Sequence, residues 1–300
     1  MLRFPYMFAL SLIGWAIGLS MALGCSSCLK KKRNFPTKKQ TAEKPITKQT
    51  PVLIKEPPSL SPAKTTQKAE PHQLHWSYQG SLGPQRWGDL NDKYATCKMG
   101  KKQSPIDLKW ARPTKSRKLN IYYKPSIQPQ VISNGYTIQV NVDPGNILKV
   151  DNKTYELEQI HFHSQSEHTI SGEHYPMEMH LVHKSKEGHL AVIARMLIVG
   201  SKPDSTITQI WSYLPSPKKK FHEMEALGYT IDLSALIPKT MTYYNYEGSL
   251  TTPPCTQGVD WNVFNTPLEI SSEQLNIFRA LYSNNHRPIQ PLNERKLTNY

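Results

Sequence analysis

Residues 159–183, QIHFHSQSEHTISGEHYPMEMHLVH, constrain this chain more than any other stretch. His161 and His163 stand two apart with Phe162 between them. On a β-strand, side chains at i and i+2 leave the same face, so both imidazoles project together, with Gln159 beside them. Met177 to Val182 repeats the pattern with Glu178 and His180. If the two runs pair antiparallel, three imidazoles converge on one point. Three histidines with an open fourth position form the donor set of a catalytic zinc site. A histidine-rich hairpin that merely carries surface polar groups has the same spacing. His183 is three residues from His180 and faces the other way. Together with His168, His174 and His189, which lack a partner at strand spacing, it reads as a loop or satisfied core histidine.

The rest of the chain divides by composition. Phe8 to Gly24 is an apolar run that starts after Arg3 and ends in small residues before Cys25. It resembles a lipoprotein signal peptide with Cys25 as the lipidation candidate, and an uncleaved anchor is the competing reading. Lys30-Lys31-Lys32-Arg33 after that run is the pattern of a cytoplasmic flank, which opposes export. Residues 26–71 are rich in Lys, Thr, Gln and Pro and have no apolar periodicity, so they read as a disordered basic linker. Between Leu29 and Glu70, eleven Lys/Arg face three Glu, so +8 of the net +14 lies there. The overall basicity is therefore no argument for nucleic-acid binding, although the linker can lie along anionic lipid.

The folded domain is expected over residues 72–300. Trp76-Ser77-Tyr78, Gly83-Pro84 and Trp87-Gly88 make a turn-rich aromatic opening rather than a helix. Short β-prone runs follow at Ile121–Tyr123, Thr137–Val142, Leu148–Val150, Thr154–Phe162, Met177–Val182 and Leu190–Ile198. Asn134-Gly135, Asp143-Pro144-Gly145 and Asp151-Asn152 are the expected turns. Helical character is confined to Thr206–Tyr213 and Ser271–Tyr282, the second with Ser271 and Gln274 spaced as a capping box. The pattern is mainly β (α+β): a single domain on a large, twisted, mostly antiparallel sheet with a few short peripheral helices.

QSPIDL at 103–108, HFH at 161–163, SEHT at 166–169, EMHLVH at 178–183, GSLTTPPC at 248–255, VDW at 259–261 and NNHRPIQPLN at 284–293 carry a further signal. Together and in this order they resemble the α-class carbonic anhydrases over nearly all of His72 to Leu297. The resemblance implies a lyase that reversibly hydrates carbon dioxide to bicarbonate and a proton through zinc-bound hydroxide, with weak esterase activity on the side. It implies His161, His163 and His180 as Zn2+ ligands, oriented by Gln159, the Asn285 carbonyl and Glu178 respectively. Thr251 would accept the hydrogen bond of the hydroxide and pass its own proton towards Glu167. Thr252 would contact bicarbonate, and Val182, Val192, Leu250, Val259 and Trp261 would line the pocket for carbon dioxide.

Where many relatives carry a proton-shuttling histidine, this chain has Tyr136, whose hydroxyl titrates near pH 10. Cys97 and Cys255 match positions that form a disulfide in many secreted relatives, which places the domain in the periplasm or cell envelope, anchored through its N-terminus. A non-catalytic binding module on the same scaffold is the alternative function. The sequence leaves the oligomeric state open.

Overall fold

A computed structural model describes residues 75–300, apart from 116, 128, 215–224 and 227–229. The apolar run, Cys25 and the whole basic linker lie outside the described residues. Among the described residues, no helix is long and apolar enough to cross a membrane.

Seven consecutive neighbours form the middle of one large sheet: β1 (Gln130–Ser133), β2 (Ile138–Asn141), β3 (Lys153–His163), β4 (Met177–Lys184), β5 (Leu190–Val199), β6 (Tyr243–Ser249) and β7 (Gln257–Ile270). Their spatial order is β6-β7-β5-β4-β3-β2-β1. Neighbours run antiparallel except β5 and β7, which are parallel at the centre. That position explains the nearly unbroken apolar run LAVIARMLIV of β5, since a strand covered on both faces has no polar side. Short strands extend both edges, including Arg112–Pro113 beside Thr298–Asn299.

The two faces of the sheet have different neighbours. Ile160, Phe162, Met179, Leu181, Ile193 and Phe264 pack under two helices, α1 (Ser205–Trp211) and α2 (Ser272–Leu281). Trp211 and Phe278 both meet Phe162, at centroid distances of 4.8 and 6.3 Å. Ser271 and Gln274 close the expected capping box at the start of α2. The opposite face carries Val182, Val192, Tyr246, Val259 and Trp261, and on it lie the histidines.

The predicted strands are all present with ends within about two residues, and the three predicted turns place residues at positive φ: Gly135, Gly145, and Asp151 with Asn152. Two helical turns and three strands of the sheet go beyond the sequence pattern. Single helical turns at Trp87–Leu90 and Thr96–Met99 lie in and after the opening segment expected to be non-helical. These turns are too short for any period to be visible; burial of Trp87 and Cys97 against Trp76 and Cys255 holds them. Strands β1, β6 and β7 are not expected from pattern: β1 is only four residues long, and Gly248, Pro267 and the polar residues of β6 interrupt the alternation of the other two.

Candidate metal centre

Register alone brings the histidines together. In the β3–β4 ladder His161 pairs with His180, and His163 with Glu178. Antiparallel pairs put side chains of one face side by side, and the three ligand nitrogens lie within 4.8 Å of one another.

Each imidazole has one nitrogen committed outward. His161 Nδ1–H donates to Gln159 Oε1 at 2.9 Å, and His163 Nδ1–H to the Asn285 carbonyl at 2.6 Å. His180 Nε2–H donates to Glu178 Oε1 at 2.8 Å. A carbonyl or carboxylate only accepts, so these partners fix the tautomers. His161 Nε2, His163 Nε2 and His180 Nδ1 are left as lone pairs facing one another. His163 Nε2 is buried without a hydrogen-bond partner, as is Glu167 Oε2, 3.6 Å from it. Buried acceptors that face one another in this way fit a bound cation. Burial also holds all three imidazoles below the ordinary histidine range, His163 to about 4, so the ring is in its neutral, metal-binding form.

Glu178 is an anchor rather than a ligand. Its Oε1 also accepts from His168 Nδ1 at 2.6 Å, and its Oε2 from the His168 backbone N–H at 2.8 Å. Burial pushes its carboxyl up, but His168 and His180 outweigh this and hold it well below the usual range. His168 Nε2 accepts from the Tyr246 hydroxyl at 2.6 Å, and that hydroxyl meets Ser104 Oγ at 2.8 Å. Although His168, Glu178 and His180 are close enough to hold an ion, their nitrogens point N–H groups at Glu178, so the group is a hydrogen-bonded relay. Sequence reasoning assigned His168 no role; its link to Glu178 spans ten residues and has no strand periodicity to reveal it. His183 is likewise a satisfied core histidine, bonded to the Tyr123 hydroxyl and the Ala191 carbonyl.

Glu167 lies beside the histidines, its Oε2 3.6 Å from His163 Nε2 and 4.0 Å from His180 Nδ1, and Thr251 hydrogen-bonds to it. Glu167 Oε1 accepts from the Arg287 backbone N–H at 2.8 Å. Burial raises its carboxyl to about 7, against the favourable influence of His180, Thr251 and Arg287. The Arg287 guanidinium donates to Gln103 Oε1, the Ser104 carbonyl and the Cys97 carbonyl at 2.8–2.9 Å. It thus ties the Glu167 support to the Cys97–Cys255 disulfide, which is formed. QSPIDL and NNHRPIQPLN contained Gln103, Ser104 and Arg287, but nothing local marked them as one cluster. Gly248 is required beneath them, since a Cβ there would meet Ser104 Oγ at 2.1 Å.

The residues expected to form an apolar wall lie together. Val182, Val192, Val259 and Trp261 share one cluster, with Leu250 against it, and Trp261 Nε1–H is held by the Ser249 carbonyl at 2.9 Å. Gln159, His161, Leu250 and Thr252 remain partly exposed and mark the open side. Tyr136 stacks on Trp76 at 3.9 Å with the rings 8° from parallel. Asn134 Oδ1 accepts from the Tyr136 and Thr137 backbone N–H groups, and Asn285 Nδ2–H donates to the Tyr136 carbonyl. Burial raises the Tyr136 hydroxyl above its ordinary value, further from the range of a neutral-pH shuttle.

Comparison with known proteins places these features in context. The family model for eukaryotic-type carbonic anhydrase matches residues 82–300. A carbonic anhydrase of Pectobacterium carotovorum is 40% identical over 223 residues, covering 74% of this chain and 89% of its own. One of Neisseria gonorrhoeae is 41% identical, covering 76% and 88%. The solved structure of α-carbonic anhydrase from Thermovibrio ammonificans with the inhibitor sulfanilamide superposes with a TM-score of 0.71 at 43% identity, covering 75% of this chain and 99% of that one.

Proposed function

The chain belongs to the α-class carbonic anhydrase family and hydrates carbon dioxide, and from that premise we propose how its own residues divide the work. His161 Nε2, His163 Nε2 and His180 Nδ1 would hold zinc; the observation that carries this is their convergence as unprotonated nitrogens. When bound, zinc supplies Lewis acidity that brings a coordinated water to a pKa of about 7, a general value for which this family is itself the reference case.

Gln159, Asn285 and Glu178 keep the three rings in the required tautomers. Thr251 gives its proton towards Glu167, so its oxygen would be left to accept a hydrogen bond from the nucleophile that the metal would supply and so orient it towards carbon dioxide. Positive charge in the site acts on Glu167 against burial and favours its ionised, accepting form. Val182, Val192, Leu250, Val259 and Trp261 seat carbon dioxide, which offers little to a hydrogen-bond donor. Thr252 meets the bicarbonate formed as the oxygen–carbon bond closes. A small activated ester placed on the same wall would be attacked in the same way.

Around this domain we read residues 1–25 as an export signal or anchor with Cys25 as the lipidation candidate, 26–71 as a basic linker, and the periplasm or cell envelope as the location. The Cys97–Cys255 disulfide supports an oxidising compartment. Metal analysis tests the site: one zinc per chain is expected, lost in His161→Ala, His163→Ala and His180→Ala. Retention of zinc by all three variants would place the metal elsewhere. For the location, mass spectrometry of protein from its native envelope should find both cysteines oxidised and Cys25 acylated; free thiols would contradict export.

A further inference from the structure

A groove of ≈ 910 Å³ runs between the Lys101–Lys102 segment and the C-terminal Asn293–Tyr300 segment, with Tyr246 among its lining residues. Four cations line it, Lys101, Lys102, Arg295 and Lys296, against two acids, Glu247 and Glu294. Lys102 is paired with Glu247 at 2.8 Å. Among the described residues, Lys101 and Lys296 have no carboxylate at ion-pair distance and both are exposed.

Arg295 is the unusual member. Its Nε donates to the Leu292 carbonyl at 2.9 Å, Nη1 to the Glu247 carbonyl at 3.0 Å and Nη2 to the Pro291 carbonyl at 2.7 Å. It also lies 5.5 Å from the centre of the Tyr246 ring. The guanidinium is therefore fixed in place by neutral groups, and among the described residues no carboxylate pairs with it, although Glu247 lies near enough to act on its charge. Arg117 shows the contrast, since Asp151 and Asp260 bind it at 2.6 and 2.7 Å. The frame is stiff as well. Asn293 Nδ2–H donates to the Lys101 carbonyl at 2.6 Å and ties the two walls, while Ser104 and His168 hold the Tyr246 hydroxyl.

We propose that this groove is a second, non-catalytic site, for a multivalent oxyanion of the diphosphate class. A fixed positive charge on a rigid floor attracts an anion, and lysines from both walls add to it with each further negative charge. A singly charged anion such as bicarbonate gains little from such a site. Exposed lysines at physiological ionic strength act over about 8 Å, so the affinity falls steeply with salt.

Isothermal titration of sodium diphosphate into the zinc-loaded full chain tests this, with sulfanilamide, the ligand of the Thermovibrio relative, saturating the catalytic site. The proposal expects saturable binding that weakens at least tenfold in the Lys101→Ala/Lys296→Ala double variant. Carbon dioxide hydration without diphosphate should be unchanged in that variant, which shows that it is folded. Absence of saturable binding overturns the proposal. So does an affinity equal in the double variant and the unmodified chain, because binding then lies elsewhere, for example on the basic linker.

Discussion

His180 Nδ1 lies 3.2 Å from His161 Nε2, yet neither nitrogen carries a proton for the other, because each ring has already donated its N–H outward. The outward partners therefore determine how well the inward lone pairs serve a metal.

Glu178 is the most demanding of those partners, since it accepts from both His180 and His168. Glu178→Gln keeps the shape but offers only one acceptor oxygen and an amide that must face an N–H. Zinc affinity should fall by about 10–100-fold, the usual effect of losing a group that orients a ligand. Competition against a chelator of known affinity measures it, and an unchanged affinity would remove Glu178 from the metal site.

Tyr136 bears on turnover rather than on binding. Its ring is stacked on Trp76 and its hydroxyl is held above the ordinary range by burial. Tyr136→His should raise hydration in dilute buffer by about a hundredfold, the low end of what a positioned proton-transfer group contributes. The rate at saturating buffer should stay the same. Equal rates for the variant and the parent in dilute buffer would rule out this position as the limit on proton export.

His183 makes stability depend on pH away from the metal site. Burial lowers it from 6.5 to about 4, despite hydrogen bonds that favour the charged form. Between those values the unfolded chain takes up a proton that the folded chain does not. Its contribution is therefore full above pH 6.5 and declines as pH falls towards 4, by up to about 3 kcal/mol. Urea unfolding of the parent and of His183→Gln should differ more at pH 7.5 than at pH 4.5. A pH-independent difference would mean that His183 is not buried neutral.

The Cys97–Cys255 disulfide closes a separation of 158 residues and shares the Arg287 cluster with Glu167. Cys97→Ser/Cys255→Ser should lose about 2–5 kcal/mol of stability. Thermal unfolding measures this, with the hydration rate followed at a temperature where the variant remains folded. A melting temperature equal to that of the parent would show that Arg287 and the surrounding packing hold the segment alone.

What was legible in the sequence followed from period. Two-residue spacing set the common face of His161 and His163, and the β3–β4 register put His180 beside them. Val182 joined that face by the same rule. Ser271 and Gln274 announced α2 because a cap is local chemistry. The relay through Ser104, Tyr246, His168 and Glu178 was not legible, because its members meet across 142 residues in one step and 78 in another. Arg287 was hidden for the same reason: its partners are carbonyls and an amide nearly 190 residues away, without a charge pattern to point to them. Strands β6 and β7 became strands through their place in the sheet rather than through their own alternation.

The central claim is that three neutral imidazoles hold the metal on which hydration depends. Stopped-flow carbon dioxide hydration should be measured on metal-stripped protein as zinc is added back in fractions of an equivalent. The rate is expected to rise linearly and stop at one zinc per chain, with none restored to His180→Ala. Full activity in stripped protein, or a full equivalent of bound zinc without hydration, would contradict the account.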